Sequence, residues 1–537
     1  MPKHPKKMRP PVKRRRRLPR GSWKAVAWAV GGIVAALVAL PYLVYRPAAF
    51  PAGFRVRSAA CAAAPGSLRL LVDDTAWDPV AGKRVIRQEI FDTILGLVRG
   101  ANSFVYLDFF LWNGWQGEVR EEHRKLSREL ADALLARKRE KPYLDVLCFV
   151  DPVNRIYGAQ EEPFYGELAA AGIPIVFTDI GRLPDSNRLY GPPAAVYGRR
   201  LARLPGVRAW LARPRFRNPF QQGGAPISAL QGARLLRFSA NHRKVAIADS
   251  ADGTLRLVVA SFNPADGSSA HSNLGILARG PVAAEALKTE LQCVAWSAEN
   301  PADVLSSSPD AWTQTVARIR ARLPEAPPEP APADGPRVEW LTEGEIRDRA
   351  LAMLELASAG DQVRLAMFYL SDRGLIVSLK AAAAAGADVR VILDYNRDAF
   401  GRLKTGVPNR PAAAELMAFA REEGVKLEVR WAETHGEQYH PKALGIANPR
   451  TGKGELLCGS ANGTRRNLRD LNLEADLACA QAPDLAAAFA AYFDRAWTNG
   501  DGLSRTVSYD ALAETGLRLA LKTMRYRFQE ATGLSSF

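Results

Sequence analysis

Two stretches of this chain set chemically capable side chains at matching intervals. "NHRKVAIAD" (241–249) carries His242, Lys244 and Asp249, and "HPKALGIA" (440–447) carries His440 and Lys442. Ser261 and Asn263 begin 19 residues after His242, and Ser460 and Asn462 begin 20 residues after His440. Ten residues beyond each Asn stands another, Asn273 and Asn472. The H-x-K triplet alone is uninformative, because four of the six histidines start one. His4 lies in a basic tail, and His123 lies in the charged pattern "EVREEHRKLSRELADALLARKRE", which reads as a solvated helix face. The downstream Ser and Asn separate His242 and His440 from those two. Paired imidazoles suit phosphoryl transfer: one attacks phosphorus, and the other, protonated, donates to the departing alkoxide. Ammonium, hydroxyl and amide donors then neutralise the non-bridging oxygens, and this arrangement requires no metal or other cofactor.

The elements that must hold these groups are repeated as well. A strand's period of two puts His242 with Lys244, and His440 with Lys442, on one face of each strand, so both pairs can aim into a common cleft. Residues 89–112 and 345–370 each read as a helix followed by a strand; "LDVLCFVD" (144–151) answers "ADVRVILD" (387–394), and "AAGIPIVFTD" (170–179) answers "REEGVKLEVRWAE" (421–433). Strands alternating with helices predict an α/β fold of two similar halves, each a mixed sheet flanked by helices, related by a pseudo-twofold. The expected boundaries are 67–300 and 337–500, joined by a Pro-rich linker over 301–336. From Asp151 to His242 takes 91 residues, against 46 from Asp394 to His440; the surplus centres on 182–220, with nine Arg and one acid. That insertion is either a lid for phosphate headgroups or a solvated loop.

A chain of 537 residues is too long for one ordinary core. Its net charge of +17 suggests nucleic acid until it is located: eleven Lys and Arg fall within 1–24, which leaves only +6 for the other 513 residues. Nucleic acid is therefore not expected as a partner. The tail runs into an uncharged stretch, 25–45, long enough as a helix to cross a bilayer core of about 30 Å. A cleaved signal is the alternative, but the stretch exceeds a usual h-region and no small-x-small site follows. The basic flank predicts a single-pass anchor in the cell inner membrane, with tail 1–24 cytoplasmic, connector 46–66, and the catalytic part outside. Five cysteines leave at least one unpaired, and Cys61 with Cys293 is one conceivable disulfide. Residues 501–537 contain an amphipathic helical pattern suited to either a membrane surface or a core.

"HRKVAIAD…ASFN" and "HPKALGIA…GSAN" resemble the two HKD motifs of the phospholipase D superfamily, whose pattern is HxKxxxxD followed by GSxN. With the leading anchor, "GSANGTRRNLRDLNLEADL" looks most like the bacterial cardiolipin-synthase-type members. The resemblance covers about residues 67 to 500 and implies a two-half α/β fold, a phosphohistidine intermediate and no metal cofactor. It implies catalytic roles for His242, Lys244, Asp249, His440 and Lys442, and phosphate binding by Ser261, Asn263, Ser460 and Asn462. The second motif departs from the pattern, with Ala447 in place of Asp, and the first has Ala260 in place of Gly. The resemblance also implies a carboxylate that orients the nucleophilic imidazole; Glu474 occupies that place, counted against Gly275 in the first half. A carboxylate crossing between the halves assigns His242 as nucleophile and His440 as general acid, then base.

The leading expectation is a membrane-anchored phosphatidyltransferase that makes cardiolipin from two phosphatidylglycerols. A hydrolase releasing phosphatidic acid is the close alternative. A nuclease and a non-catalytic lipid-binding scaffold follow, the latter suggested by Ala447 and Gly275. The sequence does not address oligomeric state.

Overall fold

The computed structural model describes residues 20–116, 123–221, 223–300, 304–324, 331, 335–399 and 402–535. Most of the basic tail, and part of the stretch read as the linker, lie outside the described residues.

Strands β1 (Leu68–Asp78), β2 (Phe104–Phe109), β3 (Asp145–Val150), β4 (Ile175–Phe177), β5 (Lys244–Asp249), β6 (Leu255–Ala260) and β7 (Asn273–Arg279) build a first sheet. Its order is β4-β3-β2-β5-β6-β7-β1, with edge strands Val304–Leu305 beside β4 and Lys83–Arg87 beside β1. A second sheet uses β8 (Arg337–Thr342), β9 (Gln362–Met367), β10 (Asp388–Asp394), β11 (Leu427–Ala432), β12 (Lys442–Asn448), β13 (Lys453–Gly459) and β14 (Ala475–Ala480). Its order, β11-β10-β9-β12-β13-β14-β8, repeats the first strand for strand. In both sheets three strands run parallel and the rest antiparallel. The protein is therefore a mixed α/β fold with two large sheets flanked by helices.

Strands β2, β3 and β5 are mainly apolar because both faces are covered, and every residue in them, including Asp108, Asp145, Lys244 and Asp249, is buried. On the outer face of the first sheet, helix α1 (Ile90–Gly100) presents Ile90, Phe91, Ile94, Leu95 and Val98 as one buried stripe at helical spacing. Helices α2 (Gly344–Glu355), α3 (Arg373–Ala384) and α4 (Asn409–Glu423) cover the second sheet in the same way. The inner faces meet each other. Leu257, Val259 and Ile276 of the first half share one core with Leu456, Cys458 and Leu477 of the second. Near the site the backbones join: His242 N donates to Leu473 O (2.8 Å) and His440 N to Ser272 O (2.9 Å).

Three features differ from the sequence reading. The stretch read as linker holds helix Ala311–Arg320, and Arg318 and Arg322 bind Asp145 at 2.8 and 2.7 Å; its Trp, Val and Ile supply an apolar face that a tally of prolines overlooks. The stretch read as connector crosses to the far half, where Cys61–Ala62 extends the second sheet beside β8. Cys61 and Cys293 are both free and buried, as are the other three cysteines, and the Cys293 thiol accepts from Arg243.

Candidate active site

β5 and β12 each begin at the lysine of their motif, with the histidine two residues earlier at the seam. Asp151 follows β3 directly and accepts from Asn241 N (2.8 Å), while Asp394 ends β10 and accepts from Tyr439 N (2.8 Å). Each buried carboxyl thus fixes the backbone just before a histidine. Burial pushes both carboxyls up to about 7. Phe110 and Phe368 lie against the imidazoles, both at 4.8 Å between ring centroids. The ammoniums of Lys244 and Lys442 stand 5.1 and 5.3 Å from the same two rings. Each lysine also donates to the carbonyl of its own histidine, at 2.5 Å for Lys244 and 2.9 Å for Lys442, which leaves two N–H groups free to meet an anion.

What lies behind the imidazoles differs. His242 Nδ1 sits 2.8 Å from Glu474 Oε1, a carboxylate from the other half, and Glu474 also accepts from Ser460 Oγ and Asn467 Nδ2. His440 Nδ1 sits 3.1 Å from Asn273 Oδ1, an amide from the other half, which accepts from Ser261 Oγ at 3.2 Å. The sheet register explains the match. Ala260 pairs with Gly275, and Gly459 pairs with Asp476, so two residues earlier Asn273 and Glu474 occupy equivalent places. Setting Glu474 against Gly275 fails because the loop from Asn462 to Glu474 is two residues longer than that from Asn263 to Asn273. Ala260 in place of Gly is compensated across the ladder: a Cβ on Gly275 would lie 2.6 Å from that of Ala260, while Gly459 makes room for Asp476.

The serines therefore occupy a different place from the one expected. Both hydroxyls are engaged behind the histidines, holding the residue that holds the imidazole, rather than free for phosphate. Asn263 Oδ1 accepts from Leu111 N (3.1 Å), which leaves its amide N–H group, and the buried Asn462 Oδ1 has no partner among the described residues. Asp249 lies at the opposite end of β5 from His242 and Lys244. At the far end of β5 it accepts from the amides of Asn102, Ser103 and Phe104 and from Ser103 Oγ, clamping the start of β2. The second half inverts this clamp: Asp361, just before β9, accepts from Asn448 Nδ2 (2.8 Å) and Lys453 (3.0 Å). Ala447 in place of Asp thus removes nothing from the cleft. His123 also departs from its reading, since its Nδ1 lies 3.0 Å from Ser269 Oγ.

Burial, reinforced by Lys244 and Lys442, drives the His242 imidazole well below its usual range. Burial likewise drives Glu474 up. Ser460 and Asn467 donate to the two carboxylate oxygens, and an Nδ1–H donated to Oε1 would leave Nε2 its lone pair. Burial also lowers Lys244 to about 7, against the pull of Glu474, and lowers Lys442 well below its usual range. A bound phosphodiester would restore both charges. Behind this site the buried Arg243 donates to Glu343 (2.7 Å), Glu290 (3.2 Å) and the Glu474 carbonyl (3.2 Å), while Glu343 accepts from Glu474 N (3.0 Å). Among the described residues no group of three His, Cys, Asp or Glu is placed to hold a metal ion.

Residues 353–497 match the family model described as cardiolipin synthase, PLD-like domain. Over those residues the chain is similar to a PLD-like domain. No curated protein matches it in sequence. Among solved structures, a phosphatidylserine synthase of Haemophilus influenzae Rd KW20 is 14% identical, over 89% of this chain and 96% of that one, with a TM-score of 0.49. Nuc of Salmonella typhimurium, a phospholipase D family member, is 20% identical over 32% of this chain and 97% of its own, with a TM-score of 0.25. Polyphosphate kinase of Porphyromonas gingivalis is 14% identical over 87% of this chain and 53% of its own, at 0.39. The PLD-like match covers the second motif and Glu474, but not His242. The repeated strand order and the bond from Glu474 tie the first half to the same site. Signals for Asn273, Phe110 and Phe368 were present in the repeat, but only the ladder register aligns them.

Proposed function

We propose that the protein is a phosphatidyltransferase that makes cardiolipin from phosphatidylglycerol, with His242 as nucleophile and His440 as acid and base. The observation that carries this reading is the unequal pair of imidazoles, one backed by the carboxylate of Glu474 and the other by the amide of Asn273. Formation of a phosphohistidine leaves positive charge on the imidazole, which a carboxylate at Nδ1 stabilises and an amide does not. His242 Nε2 attacks phosphorus, a P–N bond forms, and the P–O bond to the departing glycerol breaks as that oxygen takes a proton from His440. A hydroxyl of a second phosphatidylglycerol then gives its proton to His440 and attacks phosphorus, the P–N bond breaks, and cardiolipin leaves. Lys244, Lys442 and the amides of Asn263 and Asn462 neutralise the non-bridging oxygens.

The lipid substrate class is supported by the similarity of residues 353–497 to the cardiolipin synthase, PLD-like domain and by the helix at the N-terminus. Residues Lys24–Val44 are the one span among the described residues long and apolar enough to cross a membrane. On this reading it anchors the chain in the inner membrane with the cleft outside. Incubation of the solubilised protein with phosphatidylglycerol tests the proposal by product mass. Cardiolipin with free glycerol is expected; phosphatidic acid would make the protein a hydrolase, and unchanged lipid would remove this substrate.

A further inference from the structure

The insertion 182–220 and the C-terminal helix, two sequence features the proposed reaction leaves unused, meet at the site wall. We infer that together they form a second membrane-docking surface, selective for anionic lipid, beside the mouth of the cleft; this rests on the reading of the N-terminal helix as a membrane span. Tyr42 OH donates to Leu189 O (2.8 Å) and Tyr197 OH to Leu37 O (2.5 Å), so the insertion packs along the last two turns of helix Arg20–Val44. Leu37 lies seven residues before the helix ends, about 10 Å at 1.5 Å per residue, which sets Tyr197 just below the boundary of headgroups and acyl chains, at the inner limit of an interfacial segment. Beyond Tyr197 the insertion leaves Leu201, Leu204, Trp210 and Phe216 more than half exposed. Arg199, Arg200, Arg203, Arg208 and Arg213 are interleaved with them, and Arg215 stands 4.5 Å over the Trp210 ring. An apolar set wrapped in arginines complements an anionic bilayer surface.

The helix Gly516–Thr532 carries the same combination. It lays Tyr526 into a small core with Phe368 and Tyr369, the ring of Phe368 being the one against His440. The opposite stripe, Leu517, Leu521, Met524 and Phe528, is 51 to 74% exposed, with Arg518, Arg525 and Arg527 around it. The two surfaces are fastened to each other and to the site. Arg188 N donates to Thr532 O (2.7 Å), and the buried Arg466 binds Ser186 Oγ (3.0 Å) and Gly533 O (3.2 Å). Arg466 precedes Asn467, which holds Glu474. A bilayer seated on this surface lies against the wall of the cleft, so lipid enters without crossing water.

Nitroxide labels on the full chain in vesicles test this, since the five native thiols are buried. Trp210→Cys and Met524→Cys report the two surfaces, and Val80→Cys, at a site 96% exposed, reports water. In vesicles containing phosphatidylglycerol the first two labels are expected to become accessible to oxygen and shielded from a nickel chelate, and less so in purely zwitterionic vesicles, while the third stays open to the chelate. Equal chelate access at all three positions overturns the inference. So does shielding accompanied by spin–spin broadening, which would mean a second copy covers the surface. These readouts are independent of turnover, so a protein that makes no cardiolipin yet buries both labels fails the proposed reaction and not the docking surface.

Discussion

At the scale of single residues, the proposed chemistry rests on two imidazoles that meet different groups across the seam, a carboxylate for His242 and an amide for His440. His242, His440 and their lysines stood out by spacing, whereas the crossing carboxylate Glu474 came from the family resemblance and was counted against the wrong partner, Gly275. The jobs of the neighbours were not legible, because a hydroxyl two residues from a turn reads the same whether it faces a phosphate or another side chain. Asp249 is the clearest case. Asp249→Ala would strand three amides and a hydroxyl, costing roughly 1–3 kcal/mol of stability, while the folded fraction keeps its kcat. Denaturant midpoints with active-site titration check this, and a loss of kcat like that of His242→Ala would return Asp249 to the chemistry. The pH profile of kcat/KM reports the free protein. Its acid limb is expected below pH 6.5, where His242 becomes protonated, and its alkaline limb where His440, the proposed acid, loses its proton; burial lowers that imidazole too, so activity is expected to fall before the usual imidazole range is passed. A flat profile up to about pH 9 would show that a protonated His440 is not needed.

At the scale of elements, the alternation of strands and helices in two similar halves was readable because buried strands are mainly apolar and covering helices carry a regular stripe. Register was not readable, since it depends on loop lengths that sequence counting treats as equal. The pairings Ala260–Gly275 and Gly459–Asp476 put one side chain where the partner has none. Gly275→Ala is therefore expected to cost about 1–3 kcal/mol and to slacken the Asn273–His440 contact, with part of the loss recovered by adding Ala260→Gly. Thermal melts of the single and double variants check the coupling, and simple additivity would contradict it.

At the scale of the molecule, the candidate active site is assembled where the halves meet. Glu474 belongs to one sheet and His242 to the other, and the central core draws side chains from both. A single cooperative unfolding transition is expected in calorimetry, with loss of activity at the same temperature. Two resolved transitions would show that the halves are independent and the seam weak. The repeat announced two similar halves, but not that the N-terminal connector would pair with the second one. Its strand is two residues long, too short to carry a pattern.

The central claim is that His242, the imidazole held by Glu474, forms the covalent intermediate. Incubation with a short-chain phosphatidylglycerol, followed by an alkaline quench that preserves P–N bonds and by peptide mass analysis, tests it directly. A phosphatidyl adduct is expected on the peptide containing His242 and absent from His242→Ala. An adduct on the peptide containing His440 would reverse the two roles, and turnover without any adduct would contradict the mechanism.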